Sequence, residues 1–185
     1  DVARKAALVQ KAGGGVGYGL SNLRGKGTPV ASTHGKACGP VAVLRLYNEL
    51  STMITQGGKR AGAQMAILAC NHPDIREFIR CKDDDPQKLS TFNISVACTD
   101  EFMQKVKDGE KEANALWREM CESAWRTGDP GWYFIDTAER VNPTPHLGKL
   151  EATNPCGEQP LLDSESCTLG SINLANFLKW LSPEP

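Results

Sequence analysis

Hydrophobic and polar positions follow two kinds of pattern along the chain. Apolar residues recur every three or four positions in several segments, which predicts helices, and they form short continuous runs in others, which predicts strands. The two kinds of segment alternate, and this order is typical of parallel α/β folds. The predicted helices cover 1–12, 40–55, a short segment from about 74, another after Thr99, 111–126 and 172–181, and the predicted strands cover 65–70, 92–98 and 132–136.

Two long segments lack such a pattern. Residues 13–39 are rich in Gly, Ser and Thr, and residues 141–153 are irregular, so we predict both to be loops. No internal repeat or linker divides the chain, which predicts a single domain. Three or four strands are too few to close a barrel, so we expect a segment of a larger sheet or barrel.

Composition and charge argue against several classes of partner. The 185 residues are 40% hydrophobic and carry a formal net charge of -1, with scattered basic residues, which argues against a nucleic-acid-binding surface. The apolar runs are too short to span a membrane, and no signal-peptide pattern opens the chain. We therefore expect a cytoplasmic protein that binds neither nucleic acid nor membrane. Because it begins at Asp1 and ends on Ser-Pro-Glu-Pro, we expect a fragment.

The seven cysteines are an odd number, and no two lie closer than eleven residues. This spacing excludes a CxxC metal knuckle and fits poorly with a secreted disulfide framework. We therefore expect reduced thiols and no metal site. Cys70 and Cys98 lie in apolar runs, where cysteine acts as a small hydrophobe.

Residues 154–158, Asn-Pro-Cys-Gly-Glu, hold an amide, a thiol and a carboxylate on a segment too broken for a helix or a strand. Pro155 fixes φ and Gly157 permits tight geometry, so the three side chains can converge at the tip of a turn. The carboxylate can act as a general base, and the amide can donate to a substrate hydroxyl. The histidine context of a hydrolytic cysteine is lacking. That leaves redox or radical chemistry, with Cys167 as a second thiol, or a tight turn with unreactive thiols.

Two glycine-rich loops are candidates for ligand binding. Residues 13–19 could cradle phosphates with backbone N–H groups or form a flexible loop, since no predicted strand precedes them and no P-loop motif is present. Residues 56–62, Gln-Gly-Gly-Lys-Arg-Ala-Gly, could read a base edge or a phosphate, or form a solvated loop. The residues alone leave both alternatives open.

Residues 154–161, with the segment 165–174 that follows, closely resemble the active-site finger loop of ribonucleotide reductase large subunits. The NPCGE form with a second cysteine eleven residues on is most similar to the class II, adenosylcobalamin-dependent branch. The resemblance implies a fold that is a partial segment of the family's ten-stranded α/β barrel, with the finger loop at its centre. Further motifs of the family recur in the same order at 11–17, 39–41, 56–63, 72–75 and 92–96, so the resemblance covers nearly the whole chain.

Catalytic roles follow from this resemblance. It implies that Cys156 is the thiyl radical site that removes the 3′ hydrogen of a ribonucleotide. Glu158 would take the proton of the 3′ hydroxyl, and Asn154 would hydrogen-bond the sugar hydroxyls. Cys167 resembles one of two cysteines that form a disulfide as the 2′ hydroxyl leaves as water. The residues expected to bind substrate are Gly15, Asn154, Pro155, Cys156, Gly157 and Glu158.

The resemblance also implies a regulatory site. Arg24 matches an arginine of the loop that holds the effector's phosphates, and residues 56–63 resemble the specificity loop that relays the bound effector to the choice of substrate base. Ala61 stands where the class II pattern has a second arginine, and Cys38 stands where the family usually carries serine. The residues expected to bind effector are Arg24, Gln56, Lys59 and Arg60.

The function that the resemblance implies is reduction of ribonucleotides to 2′-deoxyribonucleotides, by a catalytic core of which this chain is a part that is inactive alone. The implied cofactor is adenosylcobalamin, and the implied partners are a deoxynucleoside triphosphate effector, a thioredoxin-type reductant and a second copy in a homodimer. A class I enzyme with a separate radical-generating subunit stays open, as does the choice between diphosphate and triphosphate substrates. The alternative from a different class is a non-catalytic, nucleotide-binding regulatory module.

Overall fold

A parallel sheet forms the centre of the computed structural model, which describes residues 1–56 and 60–180. The sheet order β1-β2-β3-β4 follows the sequence, and each neighbouring pair is parallel, which confirms the predicted parallel α/β architecture. The strands are β1 (Val16–Gly19), β2 (Gln64–Ala69), β3 (Phe92–Cys98) and β4 (Gly131–Phe134). The helices are α1 (Val2–Lys11), α2 (Pro40–Met53), α3 (Ile75–Ile79), α4 (Asp100–Lys107), α5 (Lys111–Thr127) and α6 (Ile135–Arg140).

One face of the sheet carries the main core. Successive side chains of a strand point to opposite faces, and Tyr18, Ala66 and Ile94 lie in register on this one. Tyr18 stacks on Tyr47 of α2, with 4.7 Å between the ring centroids. Helices α2, α3 and α5 cover this face and contribute the fully buried side chains of Leu44, Phe78, Ile79 and Met120.

Buried polar groups on the same face are paired with one another. The Tyr18 hydroxyl donates to Gln64 Oε1 at 3.0 Å, and Gln64 Nε2 donates to Thr91 Oγ1 at 2.8 Å. Thr91 Oγ1 in turn donates to Asn48 Oδ1 of α2 at 2.9 Å. Because buried polar groups are costly when unpaired, this chain of hydrogen bonds fixes β1, β2 and α2 relative to one another.

The opposite face carries a smaller apolar cluster. Gly17 and Gly19 of β1 lie in register with Met65 and Ile67 of β2 on this face and present no side chain. The space above β1 is therefore open to another segment of the chain, and residues 151–155 occupy it. The cluster consists of Met65, Ile67, Ala97 and Tyr133, with Ile135, Ala138 and Ala152 packed against it.

Several sequence predictions of elements were wrong. Residues 13–39 are not all loop, because Val16–Gly19 forms β1 and the two-residue strands Pro29–Val30 and Gly35–Lys36 pair. The strand predicted to reach residue 136 ends at Phe134, and α6 begins at Ile135. The helix predicted over 172–181 begins two residues later than expected and is a 3-10 helix, Leu174–Trp180, while residue 181 lies outside the described residues.

Two further features of the chain bear on the sequence predictions. All seven cysteines are free, and Cys70 and Cys98 are buried in the main core. The prediction that these two act as small hydrophobes is thus confirmed. Within residues 1–56 and 60–180, no helix is long and apolar enough to cross a membrane.

Candidate active site

A tight hairpin carries the Asn-Pro-Cys-Gly-Glu motif at its tip. The two-residue strands Ala152–Thr153 and Pro160–Leu161 pair in antiparallel register, so residues 154–159 form the turn. Asn154 N donates to Gln159 O at 3.2 Å, and Gly157 N donates to Asn154 O at 3.0 Å. Gly157 has φ +86°, a conformation that glycine adopts without steric cost. We call residues 152–161 the finger hairpin and residues 154–159 its tip.

Glycines of β1 and the preceding loop let the finger hairpin lie directly on the sheet. A β-carbon on Gly17 would lie 1.9 Å from the Thr153 carbonyl oxygen, and one on Gly15 would lie 2.2 Å from Pro155 Cγ. No real β-carbon makes such contacts, so only glycine fits at these positions. The glycine-rich stretch is therefore part of the seat of the finger hairpin and not a free flexible loop.

An asparagine of β3 holds the tip from the other side. Asn93 Nδ2 donates to the Pro155 carbonyl oxygen at 2.8 Å, across a sequence separation of 62 residues. Asn93 lies in register with Met65 of β2, which lies in register with Gly17 of β1. Three neighbouring strands therefore each contribute one residue to the surface beneath the tip.

The amide and the carboxylate of the motif are bonded to each other. Asn154 Nδ2 donates to Glu158 Oε1 at 2.6 Å, a distance typical of a charge-assisted hydrogen bond. Asn154 Oδ1 accepts from Gln159 N at 3.0 Å, which fixes the orientation of the amide. Cys156 and Glu158 are exposed. The tip thus presents a thiol between an oriented amide and a carboxylate. Such an arrangement can bind a molecule with several hydroxyl groups through hydrogen bonds.

The second candidate thiol is not hydrogen-bonded to this arrangement within the described ranges. Cys167 is exposed and follows the finger hairpin in a segment without regular secondary structure. The hydrogen bond between Asn154 and Glu158 thus spans Cys156, and among the described residues no hydrogen bond joins Cys167 to these three.

The candidate effector residue Arg24 lies in a loop that is anchored to the turn after β2. His72 Nε2 lies 2.9 Å from Leu23 O, and Lys26 N donates to Asp74 Oδ2 at 2.8 Å. Because His72 Nδ1 accepts from Asp74 N at 3.0 Å, Nε2 carries the proton and donates to Leu23 O. Exposed Arg24 is thus held between two anchored residues.

The structure describes part of the other candidate effector loop, residues 56–63. The two-residue strands Thr55–Gln56 and Arg60–Ala61 pair in antiparallel register, with Gln56 opposite Arg60. The side chains of Gln56 and Arg60 are not among those that the structure describes. Lys59 lies outside the described residues.

The hydroxyl of Tyr133 is an unusual polar group on the face of the sheet that carries the finger hairpin. Tyr133 is only 8% exposed, and its hydroxyl is buried without a hydrogen-bond partner among the described residues. Burial and, to a smaller extent, the charge of Glu139 raise the pKa of Tyr133 to about 12. In the described part of the chain, no group of three or more His, Cys, Asp or Glu side chains could hold a metal ion.

Sequence reasoning missed the residues that seat the tip. Asn93 and Met65 lie within predicted strands and were given no role. The glycines at 15, 17 and 19 alternate with larger residues, and this two-residue period is a strand signal with one bare face. That signal was available in the sequence.

Comparison with known proteins gives a consistent family match. The family description "Ribonucleotide reductase, barrel domain" matches residues 1–113 and 109–184, which together cover nearly all of the chain. A solved structure, the Actinobacillus ureae class Id ribonucleotide reductase alpha subunit, superposes with a TM-score of 0.80 and 22% identity. The aligned region covers 97% of this chain and 34% of the solved chain. At 22% identity, this likeness supports the fold alone.

Curated relatives are more similar in sequence. The vitamin B12-dependent ribonucleoside-diphosphate reductase of Thermoplasma acidophilum is 44% identical over 96% of this chain. The protein of the same name from Mycobacterium tuberculosis is 47% identical over 94%. The chain spans 25% and 27% of the length of these two relatives, about a quarter in each case.

Proposed function

The chain belongs to the ribonucleotide reductase barrel-domain family, and from that premise we propose that it forms part of the catalytic core of a cytoplasmic enzyme that reduces ribonucleotides to 2′-deoxyribonucleotides. The observation that supports this most directly is the tip of the finger hairpin. An exposed thiol stands there between an amide and a carboxylate that are hydrogen-bonded at 2.6 Å. Ribose carries adjacent 2′ and 3′ hydroxyls, which such a pair of polar groups can bind.

In this proposal Cys156 carries a thiyl radical and removes the hydrogen atom from C3′. Glu158 accepts the proton of the 3′ hydroxyl, and Asn154 donates a hydrogen bond to the sugar hydroxyls. Holding these groups on one rigid turn fixes their positions relative to the ribose, which is a large part of the rate enhancement available to an enzyme. General base catalysis by Glu158 adds about 10²–10⁴-fold.

The electrons for reduction come from two further thiols. Cys167 and a second cysteine of the complete polypeptide are each oxidised by one electron, and their sulfurs join in a disulfide. The 2′ hydroxyl leaves as water after protonation, and the hydrogen returns from Cys156 to C3′, so the thiyl radical is regenerated. One ribonucleotide and two thiols thus give one deoxyribonucleotide, one disulfide and one water. A thioredoxin-type protein then reduces the disulfide.

The radical itself must come from outside the described residues. Curated relatives are named vitamin B12-dependent, which favours adenosylcobalamin as the source for this chain as well. When bound, that cofactor supplies the radical that Cys156 receives. The exposed position of Cys156 suits this transfer, although among the described residues we identify none that would hold the cofactor.

We extend the proposal to regulation by a deoxynucleoside triphosphate. Arg24 is exposed on the loop anchored by His72 and Asp74, where its guanidinium can bind a phosphate. The loop of residues 56–63, whose ends pair at Gln56 and Arg60, would sense the effector base. The relevant assembly for this regulation is a homodimer of the complete polypeptide.

The experiment that tests the function uses the full-length protein with cofactor, ribonucleotide and a dithiol reductant. We expect Cys156→Ser to abolish both product formation and exchange of a 3′ tritium with water. Cys167→Ser should permit no more than a single turnover. Cys38→Ser, at another exposed cysteine, is the matched control and should retain activity.

Two results would contradict the proposal. A fully active Cys156→Ser enzyme would eliminate the radical role of this thiol. Tight binding of deoxynucleoside triphosphates by a full-length protein that has no reductase activity would instead support a non-catalytic, nucleotide-binding regulatory module.

A further inference from the structure

We infer that Asn93 is a positioning residue for the radical thiol, which holds the Pro155 carbonyl and thereby sets the position of Cys156. The inference rests on the proposed function, because positioning matters only if Cys156 reacts. Asn93 Nδ2 donates to Pro155 O at 2.8 Å, one residue before the thiol. Among the described residues, this is the only hydrogen bond from a strand of the sheet to the tip.

Contacts with neighbouring strands make this hydrogen bond part of a larger seat. Gly17, Met65 and Asn93 occupy matching positions of β1, β2 and β3. A β-carbon on Gly157 would lie 3.6 Å from Met65 Cε, so Met65 is within van der Waals range of the residue after the thiol. The residues on both sides of Cys156 thus rest on one row of the sheet, and Asn93 supplies the one hydrogen bond from this row to the tip within the described ranges.

The donor is rigid because of its neighbours in β3. Phe92 and Ile94 are each 1% exposed and are buried in the main core on the opposite face. The backbone of Asn93 is therefore fixed at both sides, while its side chain points to the tip. A side chain on a rigid strand places its partner more accurately than one on a loop does.

The hydrogen bond from Asn93 should affect the distance between the Cys156 sulfur and C3′ rather than the affinity for the ribonucleotide. Hydrogen-atom transfer from C3′ requires the sulfur at close range, and a misplacement of about 1 Å costs on the order of 100-fold in rate. Asn154 and Glu158 hold the ribose in the proposed function, and among the described residues no hydrogen bond joins Asn93 to either of them. Loss of the Asn93 donor should thus lower turnover more than it weakens substrate binding.

Two substitutions separate positioning from packing. Asn93→Asp keeps the shape of the side chain but replaces the donor with a carboxylate oxygen that repels the Pro155 carbonyl. Asn93→Ala removes the side chain without adding a charge. If Asn93 acts as a hydrogen-bond donor, Asn93→Asp should lower turnover at least as much as Asn93→Ala does. If Asn93 acts only by packing, the isosteric Asn93→Asp should lower turnover less.

The experiment uses the full-length enzyme and measures turnover, 3′ tritium exchange, the equilibrium Kd of the ribonucleotide and the melting temperature. We expect Asn93→Asp to lower turnover and exchange together by about 10- to 100-fold while the Kd changes by less than about threefold. Asn114→Asp is the matched control, because Asn114 Nδ2 also donates to backbone carbonyls, those of Val106 and Glu110 at 3.1 Å, but within the helical layer. It should retain wild-type turnover.

Each other outcome overturns the inference in a recognisable way. If wild type is active and Asn93→Asp turns over within about threefold of it, the positioning role is wrong while the proposed function stands. If both variants at 93 fail to fold, or if Ala is worse than Asp, the role is structural. An inactive wild-type enzyme, or an active Cys156→Ser enzyme, would overturn the proposed function and this inference with it.

Discussion

Gly17 lies directly beneath Thr153, so that a β-carbon on Gly17 would lie 1.9 Å from the Thr153 carbonyl oxygen. The obstructing atom belongs to the backbone and cannot rotate aside, so Gly17→Ala must push the finger hairpin off the sheet. We expect a loss of about 1–3 kcal/mol in stability, as for other overpacked sites. Turnover of the full-length enzyme should fall by on the order of 100-fold, because Cys156 moves with the finger hairpin.

Gly19→Ala is the graded control for this prediction. A β-carbon there would lie 3.1 Å from the Glu151 carbonyl oxygen, a contact that a shift of a few tenths of an ångström relieves. Steady-state kinetics and thermal melting of both variants provide the comparison. Equal effects at the two glycines would show that the close approach of Gly17 to Thr153 does not control the finger hairpin.

Glu158→Gln tests the proposed base without disturbing the geometry of the tip. The glutamine carbonyl oxygen can still accept the hydrogen bond from Asn154 Nδ2, so the shape of the turn should persist. The amide cannot take a proton, and we expect turnover to fall by about 10²–10⁴-fold with the ribonucleotide Kd little changed.

Glu165→Gln is the matched control for that variant. Its carboxylate accepts a hydrogen bond from Leu162 N at 2.9 Å, close to the finger hairpin but outside the tip. We expect it to react at nearly the wild-type rate in single-turnover assays. Near-normal turnover by Glu158→Gln would show that another group accepts the proton.

The sequence predicted the parts of the fold in which local pattern and burial agree. Strand β3 was predicted with the observed bounds because Phe92, Ile94, Val96 and Cys98 form a continuous apolar stripe toward the main core. Strand β1 was missed because glycine occupies one whole face. The alternation of its glycines with larger residues is a local strand signal, and pairing with β2 and the finger hairpin above it add constraints that are not local in sequence.

In the candidate site, too, the sequence predicted the contacts that are local and missed those that are not. Asn154, Cys156 and Glu158 are contiguous with a proline and a glycine, so their convergence at a turn could be predicted, and the structure does bring them together. Asn93 meets the tip across 62 residues of sequence, and no local pattern specifies that contact.

Tyr133 and Tyr18 should respond differently to loss of the hydroxyl. Tyr18 donates to buried Gln64, so Tyr18→Phe leaves an unpaired acceptor and should cost about 1–3 kcal/mol. The Tyr133 hydroxyl is buried without a partner in the described ranges, so Tyr133→Phe should be neutral or stabilising by up to about 1 kcal/mol. Urea unfolding of the full-length variants measures both changes. A cost at Tyr133 equal to that at Tyr18 would show that a residue elsewhere in the complete protein bonds its hydroxyl.

Cys98 should make the fold sensitive to alkaline pH. Burial, with a smaller effect of neighbouring Cys70, raises the pKa of Cys98 from 9.0 to about 12. The unfolded chain therefore loses this proton near pH 9, while the folded chain retains it until about pH 12. Folding binds the proton more tightly, so this contribution to stability is complete below pH 9 and is lost as the pH rises toward 12.

The variant Cys98→Ala should reduce the steepness of that loss. Each such thiol contributes at most about 1.4 kcal/mol per pH unit to the slope, and Cys81, whose pKa burial also raises to about 12, retains its own share in the variant. The smaller side chain lowers stability equally at every pH, so the slope of the unfolding free energy between pH 8 and about 10.5 is the quantity to compare. Cys38→Ala, which removes a thiol that is exposed to solvent, is the matched control. An unchanged slope in Cys98→Ala would mean that the Cys98 thiol ionises as readily in the folded protein as in the unfolded chain.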